Sequence, residues 1–477
     1  MKSRRKSAWL LWLGLSLLIA ERSFAQDPKP LRGADDRFKM DILVVVAHPD
    51  DEASFTPYLA RAIYDQHKRV AVVYTTRGGS GGNNYGREHG QALTNIREIE
   101  AREACRKLGI MEVWFLDGQD TASQNVLNSL ANWGHGLNLE KLVGLIRLTR
   151  PEVVMTTFPG VFLGENHGDH QASGVLTTEA FDLAGDPVVF PSQVAGDMRR
   201  NEQWLQNMIP WQPKKLYYSS EEDDPKVAAT YGPSYSVKEI SPSQKKPYWR
   251  LALDAFSPHL TQYPHDIQKF SAMSDEELEK IMNDPHTAWW SEPYSLTFAK
   301  SMVGGKPTDD VFAHTEEAVR GMGHGQQNDC QNPSTVNSKT AKLPQMILGG
   351  PWKFYSEFYP AHGLCSLPVA KSPEIGIKAG MPLIVPLVFL HDPSKTMEAT
   401  VSIKAPEGWK VKSGTGKFLL PAEASTYMRV EIETPSLNEA ELKKAAPQEV
   451  IVSSEADGQP IREVKLQVKL GSGGLPE

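Results

Sequence analysis

The strongest constraint on the fold is an apolar stretch that ends directly on a polar cluster. Residues 41–47 read Asp-Ile-Leu-Val-Val-Val-Ala, a pattern typical of a strand buried on both faces. His48-Pro49-Asp50-Asp51-Glu52 follows at once. Acids at a helix N-terminus would account for part of this cluster, but not for His48 and Pro49. Because a core has no use for so many ionisable groups, we interpret the cluster as a functional site.

Further apolar runs alternate with helical patterns along the first half of the chain. Strands are predicted at 69–75, 112–116 and 152–157, and helices at 55–67, 90–108, 138–148, 171–183 and 249–259. This alternation predicts an α/β fold with a Rossmann-like parallel sheet and helices on both faces. In such sheets ligands bind beyond the carboxyl ends of the strands.

A second polar cluster follows the predicted fourth strand at the same edge of the sheet. It reads His167-Gly168-Asp169-His170, and residues three apart at a helix entry share a face. Both clusters together supply the two histidines and one carboxylate of a catalytic metal site with an open position for water.

The roles within the two clusters can be divided. We predict His48, Asp51 and His170 as metal ligands, which leaves Asp50 for proton transfer and His167 for a developing oxyanion. A plausible partner that orients His167 is Asp169. The ligand set suits Zn²⁺ and also Fe²⁺, although the alternating strands and helices disfavour an Fe(II) oxygenase.

The two clusters resemble the two signatures of the PIG-L/LmbE-like N-deacetylases, and the resemblance covers about residues 40–300. It implies a zinc enzyme, with Fe²⁺ or another divalent metal as alternatives, and the ligand and base roles given above. It also implies that Arg97 binds substrate. Shorter segments that resemble family elements are Thr76–Gly78, Arg97–Glu100, Phe115–Gly118 and His259–Gln262.

The function expected from this resemblance is hydrolysis of a linear amide. The metal-dependent enzyme would remove an acetyl or acyl group from the nitrogen of an N-acetylglucosamine-containing small molecule or glycan. The alternative is a non-catalytic extracellular carbohydrate-binding protein on the same fold, which the presence of every motif residue disfavours. The loop at 78–82 is rich in glycine where family members often carry acids, so it is expected to shape specificity. Trp289 and Trp290 are interpreted as packing residues.

The chain is expected to contain more than one domain. Residues 1–25 have the basic, apolar and small-residue segments of a signal peptide, which predicts export to the periplasm or medium with no membrane span after cleavage. A deacetylase domain is predicted at 38–304, with an excursion at about 188–246. An irregular linker is predicted at 305–366 and an Ig-like β-sandwich accessory domain at 367–472, where turn residues separate short strands.

Charge and cysteine content narrow the partners and the environment. The net charge is -7, and it becomes -11 without the five basic residues and one acidic residue of the signal peptide. That balance argues against nucleic acid as a partner. Cys105 is predicted to be a buried free thiol, whereas Cys330 and Cys365 could pair outside the cytoplasm.

Overall fold

The computed structural model describes residues 35–121, 125–160, 168–194, 208–220, 222, 224–321, 343–367, 373–442 and 444–471. The predicted signal peptide, His167 and Cys330 lie outside these ranges. Within them, every helix is too short or too polar to cross a membrane. Cys105 is a buried free thiol, as predicted.

A seven-stranded sheet forms the centre of the first half of the chain, with strand order β3-β2-β1-β4-β5-β7-β6. The five strands from β3 to β5 run parallel, whereas β7 pairs antiparallel with both β5 and β6. The strands are β1 (Ile42–Val46), β2 (Val70–Tyr74), β3 (Glu112–Phe115), β4 (Val153–Thr156), β5 (Lys215–Ser219), β6 (Ser234–Tyr235) and β7 (Tyr294–Ser301).

Helices cover both faces of this sheet. Val44 of β1 packs in one hydrophobic cluster with α1 (Thr56–Tyr64) and α7 (Tyr248–Phe256), while Val45 faces a second cluster with α4 (His135–Thr149) and α5 (Gly168–Leu183). This explains why β1 is apolar at successive positions. The helices are α1 (Thr56–Tyr64), α2 (Gln91–Lys107), α3 (Val126–Asn132), α4 (His135–Thr149), α5 (Gly168–Leu183), α6 (Pro225–Ala228), α7 (Tyr248–Phe256), α8 (Pro264–Ser271) and α9 (Asp275–Asn283).

The region at 188–246 differs from the excursion expected there. It contains β5, which lies inside the sheet between β4 and β7 and is buried along its whole length. The prolines, glutamines and acids around this five-residue strand concealed it in the sequence. The mixed α/β fold with a mostly parallel central sheet is confirmed, but β7 makes the sheet mixed rather than wholly parallel.

The C-terminal part of the chain forms two further sheets. Their strand orders are β12-β14-β10-β8 and β13-β11-β15-β16-β9. One hydrophobic cluster includes Val385 and Val430 of the first sheet and Ala399 and Val450 of the second. The elements are β8 (Gln345–Leu348), α10 (Gly350–Ala361), β9 (Glu374–Lys378), β10 (Pro382–Leu390), β11 (Met397–Lys404), β12 (Lys410–Ser413), β13 (Gly416–Leu420), β14 (Ser425–Glu433), α11 (Glu439–Leu442), β15 (Gln448–Ala456) and β16 (Gln459–Gly471).

The segment at 305–366 is not irregular throughout, contrary to the expectation of a linker. Its strand β8 pairs with β10 of the C-terminal sheet, whereas α10 packs against α3 and α5 of the first half. Tyr355 in α10 donates a hydrogen bond to Gln171 at 3.0 Å, and His362 lies 2.7 Å from the carboxylate of Asp182. Consecutive elements of this segment therefore belong to different halves of the molecule.

Truncation after Leu367 is expected to leave a folded, metal-binding protein, because α10 and the buried side chain of Leu367 stay in the cluster that they share with α5. Truncation before Gly350 should instead cause aggregation, because it removes α10 and uncovers the apolar faces of α3 and α5. Both cuts expose Met346 and Leu348, which face the C-terminal core, so a second version of the protein that ends at Leu367 should carry serine at both positions. Gel filtration and thermal unfolding measure the result. Aggregation of both versions that end at Leu367 would show that the C-terminal sheets complete the first core.

Candidate active site

The three predicted metal ligands meet at one edge of the central sheet. β1 and β4 are parallel neighbours; His48 lies two residues beyond β1, and His170 lies in the first turn of α5, which follows β4. His48 Nδ1 is 3.1 Å from His170 Nε2. Asp51 Oδ1 is 3.1 Å from the same nitrogen of His170, and Asp51 Oδ2 is 3.4 Å from His48 Nδ1.

This arrangement fits a divalent metal. One nitrogen of each imidazole and one carboxylate oxygen lie within 4.8 Å of one another. Burial disfavours the charged form of Asp51, but the nearby positive charges of His170 and His48 outweigh it and hold the pKa of Asp51 well below its ordinary value. Two imidazoles and an ionised carboxylate are the donor set of many catalytic zinc and iron sites.

The other ring nitrogen of His48 faces two further carboxylates. His48 Nε2 is 3.1 Å from Asp120 Oδ1 and 3.5 Å from Asp169 Oδ2. The backbone N–H and the hydroxyl of Thr121 both donate to Asp169 at 2.8 Å. These acids orient the imidazole so that Nδ1 faces the ligand cluster. The structure thus places Asp169 beside His48, and the expected pairing of Asp169 with His167 stays a prediction because His167 lies outside the described residues.

Asp120 is a residue of the site that sequence reasoning missed. Besides its contact with His48, it accepts a hydrogen bond from the backbone N–H of Ser80 at 2.8 Å. It follows β3, whose carboxyl end lies at the same edge of the sheet as that of β1. This position beyond a parallel strand was the one signal that could have pointed to Asp120. However, Asp120 lies five residues beyond β3 in an irregular loop, and sequence spacing does not predict which residues of such a loop reach the site.

Asp50 is held in an unusual backbone conformation beside the ligands. Its φ is 117°, which is costly for a residue with a side chain and needs support from its surroundings. Its backbone N–H donates to Glu52 Oε2 at 2.9 Å, and its Oδ1 accepts from Arg97 at 3.1 Å. Burial raises the pKa of Asp50 to about 6, despite the opposing charge of Arg97. This carboxyl group is therefore positioned to exchange a proton near neutral pH.

Glu52 supports Asp50 rather than the substrate. Its side chain is 3% exposed, and its Oε1 lies 2.6 Å from Nε2 of His259, which is fully buried. Burial disfavours the charged form of His259, but the charge of Glu52 raises the pKa of that histidine. The pair fixes the carboxylate that holds the backbone of Asp50, which explains why an acid and a distant histidine both appear among the motifs.

Arg97 is buried beneath the site and donates hydrogen bonds to the two segments that carry Gly78 and Asp50. Nη1 donates to the carbonyl of Gly78 at 3.0 Å, and Nη2 donates to the carbonyl of Pro49 at 2.6 Å as well as to Asp50. Its side chain is 5% exposed. This geometry supports a positioning role for Arg97, and the substrate-binding role implied by the resemblance stays a prediction.

The remaining motif residues connect α2 to the loops around the site. Glu100 accepts hydrogen bonds from the backbone N–H of Thr261 at 2.9 Å and from its hydroxyl at 2.5 Å. Gln262 donates to the carbonyl of Gly82 at 3.0 Å, within the glycine-rich loop. The segments at 97–100 and 259–262 therefore act together as a support for that loop.

Gly78→Ala is expected to lower kcat/KM by about 10- to 100-fold, because small displacements of a catalytic group are costly. Gly78 has φ 65°, and a Cβ there would lie 2.3 Å from Nη1 of Arg97, so Arg97 must move away from Asp50. Gly408→Ala is the matched control, since Gly408 also has positive φ (82°) but a Cβ there meets nothing within 4 Å. Steady-state kinetics measure the effect. Equal losses of kcat/KM in both variants would mean that the strain of a positive φ, and not the displacement of Arg97, lowers the activity.

A cavity of about 600 Å³ opens over Asp50, Asp51 and His170. Its wall includes Trp289 and Trp290. Trp290 is largely buried and donates from its indole nitrogen to the carbonyl of Ala53 at 2.9 Å, whereas Trp289 is partly exposed. The packing role expected for these residues is therefore correct in part, since both also line the cavity.

Comparisons with known proteins identify the region that carries this site. A family model described as PIG-L, GlcNAc-PI de-N-acetylase, matches residues 43–181. A 1D-myo-inositol 2-acetamido-2-deoxy-alpha-D-glucopyranoside deacetylase 1 of Frankia alni is 32% identical over 188 residues, which is 36% of this chain and 59% of that protein. A 1D-myo-inositol 2-acetamido-2-deoxy-alpha-D-glucopyranoside deacetylase of Thermobifida fusca is 25% identical over 255 residues, which is 46% of this chain and 82% of that protein.

Among solved structures, similarity is found to N,N'-diacetylchitobiose deacetylase from Pyrococcus horikoshii. The two chains are 18% identical, with a TM-score of 0.36, and the match covers 59% of this chain and 88% of the other.

Proposed function

We propose, from the premise that residues 43–181 belong to the PIG-L family, that this protein is a metal-dependent hydrolase that deacetylates an N-acetylglucosamine-containing substrate. The observation that carries the proposal is the convergence of His48, Asp51 and His170 at the floor of a cavity, with Asp50 beside them. The names of the relatives from Frankia alni and Thermobifida fusca support an acetamido sugar as the substrate.

We propose zinc as the metal, held by His48, Asp51 and His170. When bound, it would supply Lewis-acid chemistry, lowering the pKa of a water molecule and polarising the amide carbonyl. The geometry suits this, because Asp120 and Asp169 fix the ring of His48 so that its Nδ1 faces Asp51 and His170.

Asp50 acts as the general base in this proposal. Its carboxylate accepts a proton from the attacking water, whose oxygen forms a bond to the acetyl carbon. As the carbon–nitrogen bond breaks, Asp50 returns that proton to the leaving nitrogen, so the products are the free amine and acetic acid, which ionises in solution to acetate. Arg97 and Glu52 keep the carboxylate in place during both transfers.

His167 is proposed to stabilise the oxyanion as a protonated imidazole. It lies three residues before His170 in the sequence, at the entry to α5. Because an adjacent acid favours the imidazolium form, Asp169 would support this role if it lies near His167.

Export and modular organisation are further parts of the proposal. Residues 1–25 would direct the chain out of the cytoplasm, to the periplasm or the medium, as their sequence pattern predicts. The two C-terminal sheets, which share one hydrophobic cluster, would form an Ig-like β-sandwich with an accessory role. Cys330 and Cys365 are proposed to pair in that oxidising environment outside the cytoplasm.

The proposal is tested by incubating the zinc-loaded protein with N-acetylglucosamine and with N,N'-diacetylchitobiose. Acetate and primary amine are measured in the same samples. The expected result is release of the two products in equal amounts. Cleavage of the disaccharide into monosaccharides without release of a primary amine would contradict amide hydrolysis.

A further inference from the structure

One wall of the cavity is built from aromatic rings. Trp289 contacts Phe256 edge to face, with ring centroids 4.8 Å apart, and lies 6.2 Å from the ring of Tyr263. Phe270 supports Trp289 from behind, at 4.9 Å between centroids. Tyr263 is 41% exposed, and its hydroxyl makes no hydrogen bond to the described residues. The rings therefore hold one another in fixed orientations, and Tyr263 and Trp289 both line the cavity.

The charge of the cavity is one-sided. Among the described residues that line it are three aspartates, namely Asp50, Asp51 and Asp266, and no lysine or arginine. Arg97 lies behind Asp50, where it donates hydrogen bonds to the backbone carbonyls of Gly78 and Pro49. Asp266 is exposed and lies in the first turn of α8. Because Tyr263 directly precedes this helix, Asp266 lines the cavity on the side of the aromatic wall. An anionic group beside Asp266, away from the metal ligands, would meet like charge, and no lysine or arginine among the described lining residues would compensate it.

The size of the cavity exceeds what a single acetamido group needs. A volume of about 600 Å³ lies in the middle of the range of about 300–1,000 Å³ for pockets that enclose small-molecule ligands of drug size. With the acetamido group over His170, space remains beside Trp289 and Tyr263. Apolar faces of a sugar ring pack well against aromatic side chains, whereas its hydroxyls remain free for polar neighbours such as Asp266.

From these observations we infer that the aromatic wall, with Trp289 at its centre, binds a second, uncharged sugar ring of the substrate. The substrate class is then a neutral glycoside of at least two rings, rather than a monosaccharide or a glycoside whose second ring carries an acid. This inference rests on the proposed function for the position of the acetamido group, but it assigns a separate subsite with its own binding energy.

The subsite is tested with Trp289→Leu and with Trp289→Phe, which keeps an aromatic face. Trp211→Leu is the matched control, because Trp211 is also partly buried but does not line the cavity. Its indole nitrogen donates a hydrogen bond to the carbonyl of Pro151. Kinetic constants are measured for N-acetylglucosamine and N,N'-diacetylchitobiose. In addition, calorimetry measures the Kd of the disaccharide on zinc-loaded protein that also carries Asp50→Asn, so that binding is observed without turnover.

Trp289→Leu is expected to raise the KM and Kd of the disaccharide by about 3- to 10-fold. Its kcat and the constants of the monosaccharide should change less than two-fold, and Trp289→Phe should restore most of the binding. The inference is overturned if the disaccharide constants stay unchanged in Trp289→Leu, or if Trp211→Leu raises them equally. Binding that responds to Trp289→Leu without acetate release by the wild-type protein would contradict the proposed function and leave the subsite standing.

The charge preference is tested with two disaccharides of equal size, N,N'-diacetylchitobiose and N-acetylglucosaminyl-glucuronic acid. The wild-type protein should bind the uronic acid compound more weakly, and Asp266→Asn should reduce that difference by about 2- to 5-fold at low salt. Equal or tighter binding of the anionic disaccharide by the wild-type protein would overturn this part of the inference.

Discussion

His170→Ala is expected to remove bound metal and to lower turnover by at least about 10³-fold, since the Lewis-acid contribution of a catalytic metal amounts to several kcal/mol. The loss of one nitrogen leaves His48 and Asp51, which are too few ligands to hold the ion in a catalytic site with three protein donors. Metal content per chain, measured by mass spectrometry after dialysis, should fall with activity. His48→Ala and Asp51→Ala should behave in the same way.

His135→Ala is the control for this experiment. His135 also pairs with a carboxylate, that of Glu179, but it lies on α4 away from the cavity. Its replacement should leave metal content and turnover within two-fold of the wild type. Wild-type metal content in all three ligand variants would mean that the metal is held elsewhere.

Asp50→Asn is expected to keep the metal and the fold while turnover falls by about 10²- to 10⁴-fold, which is the usual contribution of a general base. The amide retains an oxygen that can accept the hydrogen bond from Arg97, so the backbone around Asp50 should be little changed. Circular dichroism and metal content verify the fold, and initial rates give the loss. Near-normal turnover would show that another group accepts the proton.

The pH dependence of turnover separates Asp50 from Glu52. Burial raises the pKa of Asp50 to about 6, so its carboxylate, the active form, predominates above that value and is lost as the pH falls through it. A bound cation favours the carboxylate, so the acid limb of the metal-loaded enzyme should lie at or below about pH 6. Glu52→Gln should lower turnover but keep this limb, whereas Asp50→Asn should abolish it. The opposite pattern would make Glu52 the base.

The sequence was informative wherever a short segment carried both structure and chemistry. The strand before His48 is apolar at every position because both of its faces are buried, so strand and cluster could be recognised together. The expectation that the two polar clusters meet followed from the rule that parallel strands end at one edge of a sheet. The structure brings His48, Asp51 and His170 close together, as that rule predicts.

Long-range support could not be predicted in the same way. The contacts of Glu52 with His259 and of Glu100 with Thr261 join positions more than 150 residues apart, and no local period encodes them. β5 was missed because it is only five residues long and the segments on either side of it in the sequence are polar. The division of 343–367 between two cores was missed because sequence patterns do not reveal which partner a helix or strand will pack against.

The central claim, that the cluster of His48, Asp51 and His170 makes the protein a metal-dependent deacetylase, is tested most directly by a metal titration of activity. The protein is stripped with a chelator, and acetate release from N,N'-diacetylchitobiose is followed as Zn²⁺ is returned in known amounts. The account predicts negligible activity without metal and a linear rise that saturates at one equivalent per chain. Full activity in the stripped protein, or no acetate release at any metal concentration, would contradict it.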